Sequence, residues 1–133
     1  MSDQAPRLVG PGDNDPLGEG AGPGERAPGQ LALSEHRGEG TLVLELAGEL
    51  DLATAGLMRE ALERMQLEQP ELVVIDLSGL SFIDSTGIRV IVSAYQRLQD
   101  APRPRLEIRP GNRAIQRVFQ ITGLDRVLPF AAP

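Results

Sequence analysis

The apolar positions of this chain change period several times between Leu31 and Phe130, and each change marks an element. Residues 31–36 alternate weakly and predict a short edge strand. Arg37-Gly38-Glu39-Gly40 then supplies a turn. In residues 41–48, Leu42, Leu44 and Leu46 fall on one face, and Thr41, Val43, Glu45 and Ala47 on the other. A two-residue period of this kind predicts a half-buried strand, and the two strands suggest a hairpin. From about residue 52 to 68 the period lengthens. Leu57, Met58, Ala61, Leu62 and Met65 share one side of a helix, with Arg59, Glu60, Glu63 and Arg64 outside. Asp51 or Thr54 is placed to cap its start.

Leu72-Val73-Val74-Ile75 is unbroken and apolar, and it ends in Asp76-Leu77. A short run with no polar face predicts a central strand covered on both sides. Ser78-Gly79-Leu80-Ser81 reads as a loop. Residues 85 to about 99 carry Ile88, Ile91, Val92, Tyr95 and Leu98 at helical spacing. Pro102 and Pro104 flank another loop, and residues 105–109 predict a strand with Leu106 and Ile108 inward. Gly111-Asn112 precedes a third helix that aligns Ile115, Val118, Phe119 and Thr122, and Gly123 stops it. Val127-Leu128-Pro129-Phe130 adds a last short strand. The order is β-β-α-β-α-β-α-β. It predicts one α/β domain with a mixed, mostly parallel sheet of four to five strands, amphipathic helices and right-handed crossovers.

Composition divides the chain near residue 30. The first 30 residues hold seven Gly and five Pro, five acids and two Arg, and only Leu8, Val9 and Leu17 as large aliphatics. Such a segment buries too little apolar surface to offset its chain entropy, so 1–30 is expected to be a disordered acidic tail. Residues 31–133 are expected to form the domain.

The chain of 133 residues carries a net charge of −6. A phosphate-tracking nucleic-acid binder would be basic, so no direct nucleic-acid role is expected. There is no cysteine and one histidine, His36, so no thiolate or multi-histidine metal site is expected. All 13 basic residues are Arg. Schiff-base chemistry and Walker-type phosphate binding both need a Lys. The N-terminus lacks an apolar signal segment, and no window approaches the roughly 18 apolar residues of a membrane span. A soluble, cytoplasmic protein is the expectation.

Chemistry concentrates in Phe82-Ile83-Asp84-Ser85-Thr86-Gly87, between the central strand and the second helix. In parallel α/β sheets function gathers at the carboxyl ends of strands. A phosphate on Ser85 would lie in the favourable field of a helix N-terminus. It would bring about −1.5 to −2 charges beside Asp84, which repels them. The plainer reading is that Asp84 or Ser85 is a helix cap, worth about 1 kcal/mol. Gly87 costs its helix about 1 kcal/mol against Ala, which suggests a close approach there. Ala47-Gly48-Glu49-Leu50-Asp51 forms a second cluster, read first as a turn with Asp51 as cap. Asp76 suits a loop-anchoring acceptor as well as it suits a ligand; His36 suits an exposed idle side chain, and Arg113 and Arg117 a solvated helix face. Enzyme templates fail: the single His precedes every candidate nucleophile, and no G-x-S-x-G occurs.

The run from Val73 to Gly87, followed by an apolar helix, resembles the core of STAS domains, most closely the bacterial anti-sigma factor antagonists. Gly48-Glu49-Leu50-Asp51 and Ile121-Thr122-Gly123-Leu124, preceded by Phe119, are similar to the family's other two signatures. The resemblance spans residues 31 to 130. It implies a partner switch rather than an enzyme. The unmodified antagonist binds a serine-kinase anti-sigma factor, which frees the sigma factor. The kinase then spends ATP to phosphorylate the antagonist, which lets go, and a serine phosphatase resets it. Carried to this sequence, Ser85 is the acceptor, and Asp51, Asp84, Ser85, Thr86 and Gly87 form the partner-binding surface. The protein itself needs no cofactor or metal, and a monomer is implied when it is free. The C-terminal helix that family members often carry is short or missing. One alternative keeps the fold but makes it a constitutive scaffold or transporter-associated subunit with Ser85 unmodified. Another, a nucleotide-binding α/β protein, lacks the Lys and the Gly-rich loop it would need.

Overall fold

The computed structural model describes Arg7–Val9, as backbone, and residues 30–132. Its elements in chain order are β1 (Arg7–Val9), β2 (Leu31–Gly38), β3 (Thr41–Leu50), α1 (Ala55–Leu67), β4 (Leu72–Ile83), α2 (Ser85–Gln99), β5 (Arg105–Arg109) and α3 (Arg113–Thr122). One sheet takes the order β1-β2-β3-β4-β5. The first two pairings are antiparallel and the last two parallel.

Register explains the core. Leu44 of β3, Ile75 of β4 and Ile108 of β5 are neighbours across the sheet, and all three are fully buried. Side chains alternate faces along a strand, so Leu42, Leu46, Val73 and Leu77 join them on one face. Met58, Ala61, Leu62 and Met65 of α1, Val90, Ile91 and Ala94 of α2, and Ile115 and Phe119 of α3 belong to the same cluster. The opposite face carries Glu45, His36, Asp76 and Arg109, with His36 Nε2 and Glu45 Oε1 3.0 Å apart. His36 is therefore exposed as expected but not idle.

Three expectations are corrected. Residues 78–81 are not a loop: β4 runs on to Ile83. Its register against β3 shifts twice, between Glu45 and Ala47 and between Gly48 and Glu49, so its 12 residues lie against the 10 of β3. Each shift is a bulge that admits one extra residue. Asp76 Oδ1 accepts from the Ser78 N–H at 2.9 Å beside the first, the anchoring one of its two expected roles. A Cβ on Gly79 would stand 2.7 Å from the Leu46 carbonyl oxygen, so the glycine is required by close backbone approach. The turn-like composition thus belongs to a bulged strand.

The final strand shrinks to a single parallel bridge between Ile108 and Phe130, after a 3₁₀ turn at Leu124–Arg126. Pro129 has no N–H to extend the ladder. Gly123, at φ +78, ends α3 in the left-handed conformation expected of it.

Arg7–Val9, counted in the disordered tail, forms β1, with Val9 opposite Leu31. The N–H and C=O groups along the outer edge of β2 offer a strand partner, a pull that a compositional argument misses. The other tail residues, 1–6 and 10–29, lie outside the described residues.

Candidate functional site

The two sequence clusters meet at the carboxyl ends of β3 and β4. Leu50 is the neighbour of Ile83, and Glu49 of Phe82. The Ser81 hydroxyl donates to the Gly48 carbonyl at 3.1 Å, and the Asp84 N–H to the Leu50 carbonyl at 3.1 Å. The strand ends are therefore bonded into one platform, from which the chain turns into α1 on one side and α2 on the other.

On the β4 side, Asp84 is the N-cap of α2, with extended backbone. Its Oδ1 accepts from the Gly87 N–H at 3.0 Å, and its carbonyl from the Ile88 N–H at 3.0 Å. One residue thus satisfies a first-turn donor and starts the helix. Ser85 is the first helical residue. It is exposed, and its hydroxyl has no hydrogen-bond partner among the described residues. The two capping readings of the sequence resolve to Asp84. Thr86 is half-buried and Gly87 buried.

Gly87 is where α2 crosses the end of β3. An added Cβ would meet Leu50 Cγ at 2.7 Å, the Leu50 carbonyl oxygen at 2.9 Å and Ile83 Cγ1 at 3.0 Å. The helix sits against the platform because residue 87 has no side chain.

On the β3 side, Thr54 is fully buried. It accepts from the Asp51 N–H at 3.0 Å and donates to the Glu49 carbonyl at 2.9 Å. Asp51 Oδ1 in turn accepts from the N–H groups of Ala53 at 3.0 Å and Thr54 at 3.2 Å. The helix begins at Ala55, later than expected. Thr54 stands at its N-cap position but makes no side-chain cap bond to the helix, because its hydroxyl holds the turn together. A buried backbone group left without such a partner costs about 1–3 kcal/mol.

Sequence reasoning missed two surface features here. Leu52 is 78% exposed and Phe82 46%. Both flank the platform, since Leu52 follows Asp51 and Phe82 lies two residues before Asp84. Leu52 lies outside the helical period that begins at Leu57, and Phe82 is grouped with the site segment with no exposure assigned to it. The signal for Phe82 was its place next to buried Ile83, because adjacent strand residues face opposite ways.

The site therefore offers a free hydroxyl at the start of a rigid helix, two carboxylates engaged as turn anchors, and apolar side chains in solvent. No group of three or more metal-ligating residues occurs among the described residues. No helix among them is long and apolar enough to cross a membrane. This is the make-up of an α/β module that presents an exposed hydroxyl and apolar side chains at one end of its sheet.

A model of the STAS domain family matches residues 33–132, and the chain belongs to that family. It is 32% identical over 101 residues to an anti-sigma F factor antagonist of Paenibacillus polymyxa, covering 75% of this chain and 84% of the relative. It is 36% identical over 83 residues to an anti-sigma-B factor antagonist of Listeria monocytogenes, covering 62% of this chain and 72% of that one. The crystal structure of an anti-sigma factor antagonist from Mycobacterium paratuberculosis superposes with a TM-score of 0.70 at 25% identity, covering 77% of this chain and 86% of that one.

Proposed function

We propose that this protein is an anti-sigma factor antagonist switched at Ser85. Unmodified, it binds a serine-kinase anti-sigma factor through Asp51, Asp84, Ser85 and Thr86, and the sigma factor is freed; Gly87, expected on that surface, is buried against Leu50 and Ile83 and supports it from beneath. The kinase transfers the γ-phosphoryl group of ATP to the Ser85 oxygen; the hydroxyl proton leaves and ADP is released. The phosphorylated antagonist dissociates, and a serine phosphatase hydrolyses the phosphate to restore it. ATP belongs to the kinase, and the antagonist holds no cofactor or metal and performs no catalysis. It acts in the cytoplasm, as a monomer when free, with residues 1–30 outside the STAS domain except where β1 joins the sheet.

The observation that carries this reading is the division of labour between Asp84 and Ser85. Capping falls to the aspartate, so the exposed serine hydroxyl is spared for chemistry. The relatives named as anti-sigma factor antagonists support the same role. The release step follows from charge. A dianion added beside Asp84, at a surface closed by a partner, leaves like charges buried together at a cost of several kcal/mol.

The test is phosphopeptide mapping by mass spectrometry on protein from its native cells and after incubation with the purified kinase and ATP. Phosphate on Ser85, and loss of kinase binding in Ser85→Asp, is the expected result. An unmodified Ser85 under every condition, with Ser85→Asp still bound, would return the protein to a constitutive scaffold.

A further inference from the structure

This inference rests on the reading of Ser85 as phosphate acceptor and concerns what receives the phosphate. Residues four apart on a helix stand one above the other, with Cβ atoms about 5–6 Å apart. Arg89 is four residues after Ser85 on α2, and both side chains are exposed. The other neighbours of Arg89 on that stripe are Thr86, Val92 and Ser93, none of them acidic. Arg89 makes no ion pair among the described residues, whereas Arg37, Arg64 and Arg109 are held by Glu68, Glu35 and Asp76.

Three carboxylates stand near Ser85. Asp84 precedes it, and Asp51 and Glu49 stand at the neighbouring strand end. Among the described residues no cation pairs with the Asp84 or Asp51 carboxylate; both accept from backbone N–H groups. Arg89 is thus the one basic residue of α2 within a helical turn of Ser85.

We propose that Arg89 is the built-in counter-ion of phosphorylated Ser85, its guanidinium pairing with the phosphate oxygens across the first turn of α2. A guanidinium presents two parallel N–H donors that match two phosphate oxygens. The pair holds the modified side chain down along the helix and fixes the added charge beside Asp84. Arg89 is a positioning residue: it acts only once the phosphate is there, and in the unmodified protein it is an ordinary solvated cation.

The experiment is a ³¹P NMR pH titration of the full chain carrying phosphoserine at 85, installed during translation by suppression of an amber codon. Wild type is compared with Arg89→Gln and Arg89→Lys. The guanidinium favours the dianion, so Arg89→Gln is expected to raise the second phosphate pKa by about 0.2–0.4 of a unit, from the strength of exposed pairs at this spacing. Arg89→Lys should recover part of the difference, and about 1 M salt should erase it. The Arg89 side-chain Nε–H resonance should shift with the same midpoint. Equal phosphate titrations in all three proteins, with an unmoved Arg89 resonance, would overturn the proposal. Because no kinase installs the phosphate, this failure is distinct from a failure of the kinase to modify Ser85.

Discussion

The N–H of Asp84 donates to the carbonyl of Leu50 at 3.1 Å, and this bond joins the two turns that make the site. Leu50 is fully buried and ends β3; Asp84 follows the end of β4 and caps α2. The strand ends, the α2 cap and the turn into α1 therefore share one hydrogen-bonded frame. A serine at the first position of α2 inherits that rigidity without spending its own hydroxyl on it. Changes that loosen the frame should be felt in stability, and changes on its surface in binding.

Gly87→Ala tests the frame directly. The new methyl would lie 2.9 Å from the Leu50 carbonyl oxygen, and backbone cannot swing aside as a flexible side chain can. Overpacking of this kind costs about 1–3 kcal/mol. A drop of roughly 4–8 °C in melting temperature per kcal/mol is expected for a domain of this size. Gly38→Ala is the control: nothing lies within 4 Å of its added methyl. Equal melting temperatures for the two variants would refute the close approach.

Asp84 separates capping from charge. Asp84→Ala leaves the Gly87 N–H without its acceptor and should lower stability by about 1 kcal/mol in urea unfolding. Asp84→Asn keeps an acceptor oxygen at the same place and should be nearly neutral. If the asparagine variant falls as far as the alanine one, the carboxylate charge holds the turn and the cap assignment is wrong.

The parts of the fold visible in the sequence are those with a strong local period. The span of β5, the start of α2 and the Gly123 stop match the structure, because periodicity, a capping aspartate and a left-handed glycine are local causes. Ser78-Gly79 defeated the same reasoning. Turn residues there serve two bulges, and a bulge exists only relative to the neighbouring strand. The site motifs were legible as sequence, but their union through Leu50 was not, since a parallel pair forms across the 13 residues of α1. Arg89 looked like any surface arginine; its place four residues after Ser85 on the same helix, with both side chains exposed, singles it out.

Strand β1 makes a prediction about the edge of the sheet. It covers only Leu31–Leu33 of β2, whose burial is among the deepest in that strand. Deleting residues 1–9 should speed amide hydrogen exchange in residues 31–33 while leaving that of β4 unchanged. A three-residue edge pairing contributes little, so the melting temperature should shift by only a few degrees. Unchanged exchange at residues 31–33 would show that β1 does not protect the edge in solution.

Leu52 is expected to matter for the partner and not for the fold. At 78% exposure it contributes almost nothing to the core, and Leu52→Ala should leave stability within about 0.5 kcal/mol of wild type. Its place next to Asp51, on the platform that carries Ser85, puts an apolar side chain where an interface would desolvate it. Well-packed anchors of this kind contribute about 2 kcal/mol or more, which is a more than tenfold weakening when truncated. Leu67 supplies the comparison. It is 83% exposed, but it ends α1, just ahead of the start of β4 and so at the opposite pole of the sheet. Calorimetric titration of the anti-sigma factor should therefore separate the variants: Leu52→Ala binds at least tenfold more weakly, and Leu67→Ala binds as wild type does. The same loss in both would mean that the partner does not discriminate between the two poles, and the docking surface assigned around Ser85 would have to be abandoned.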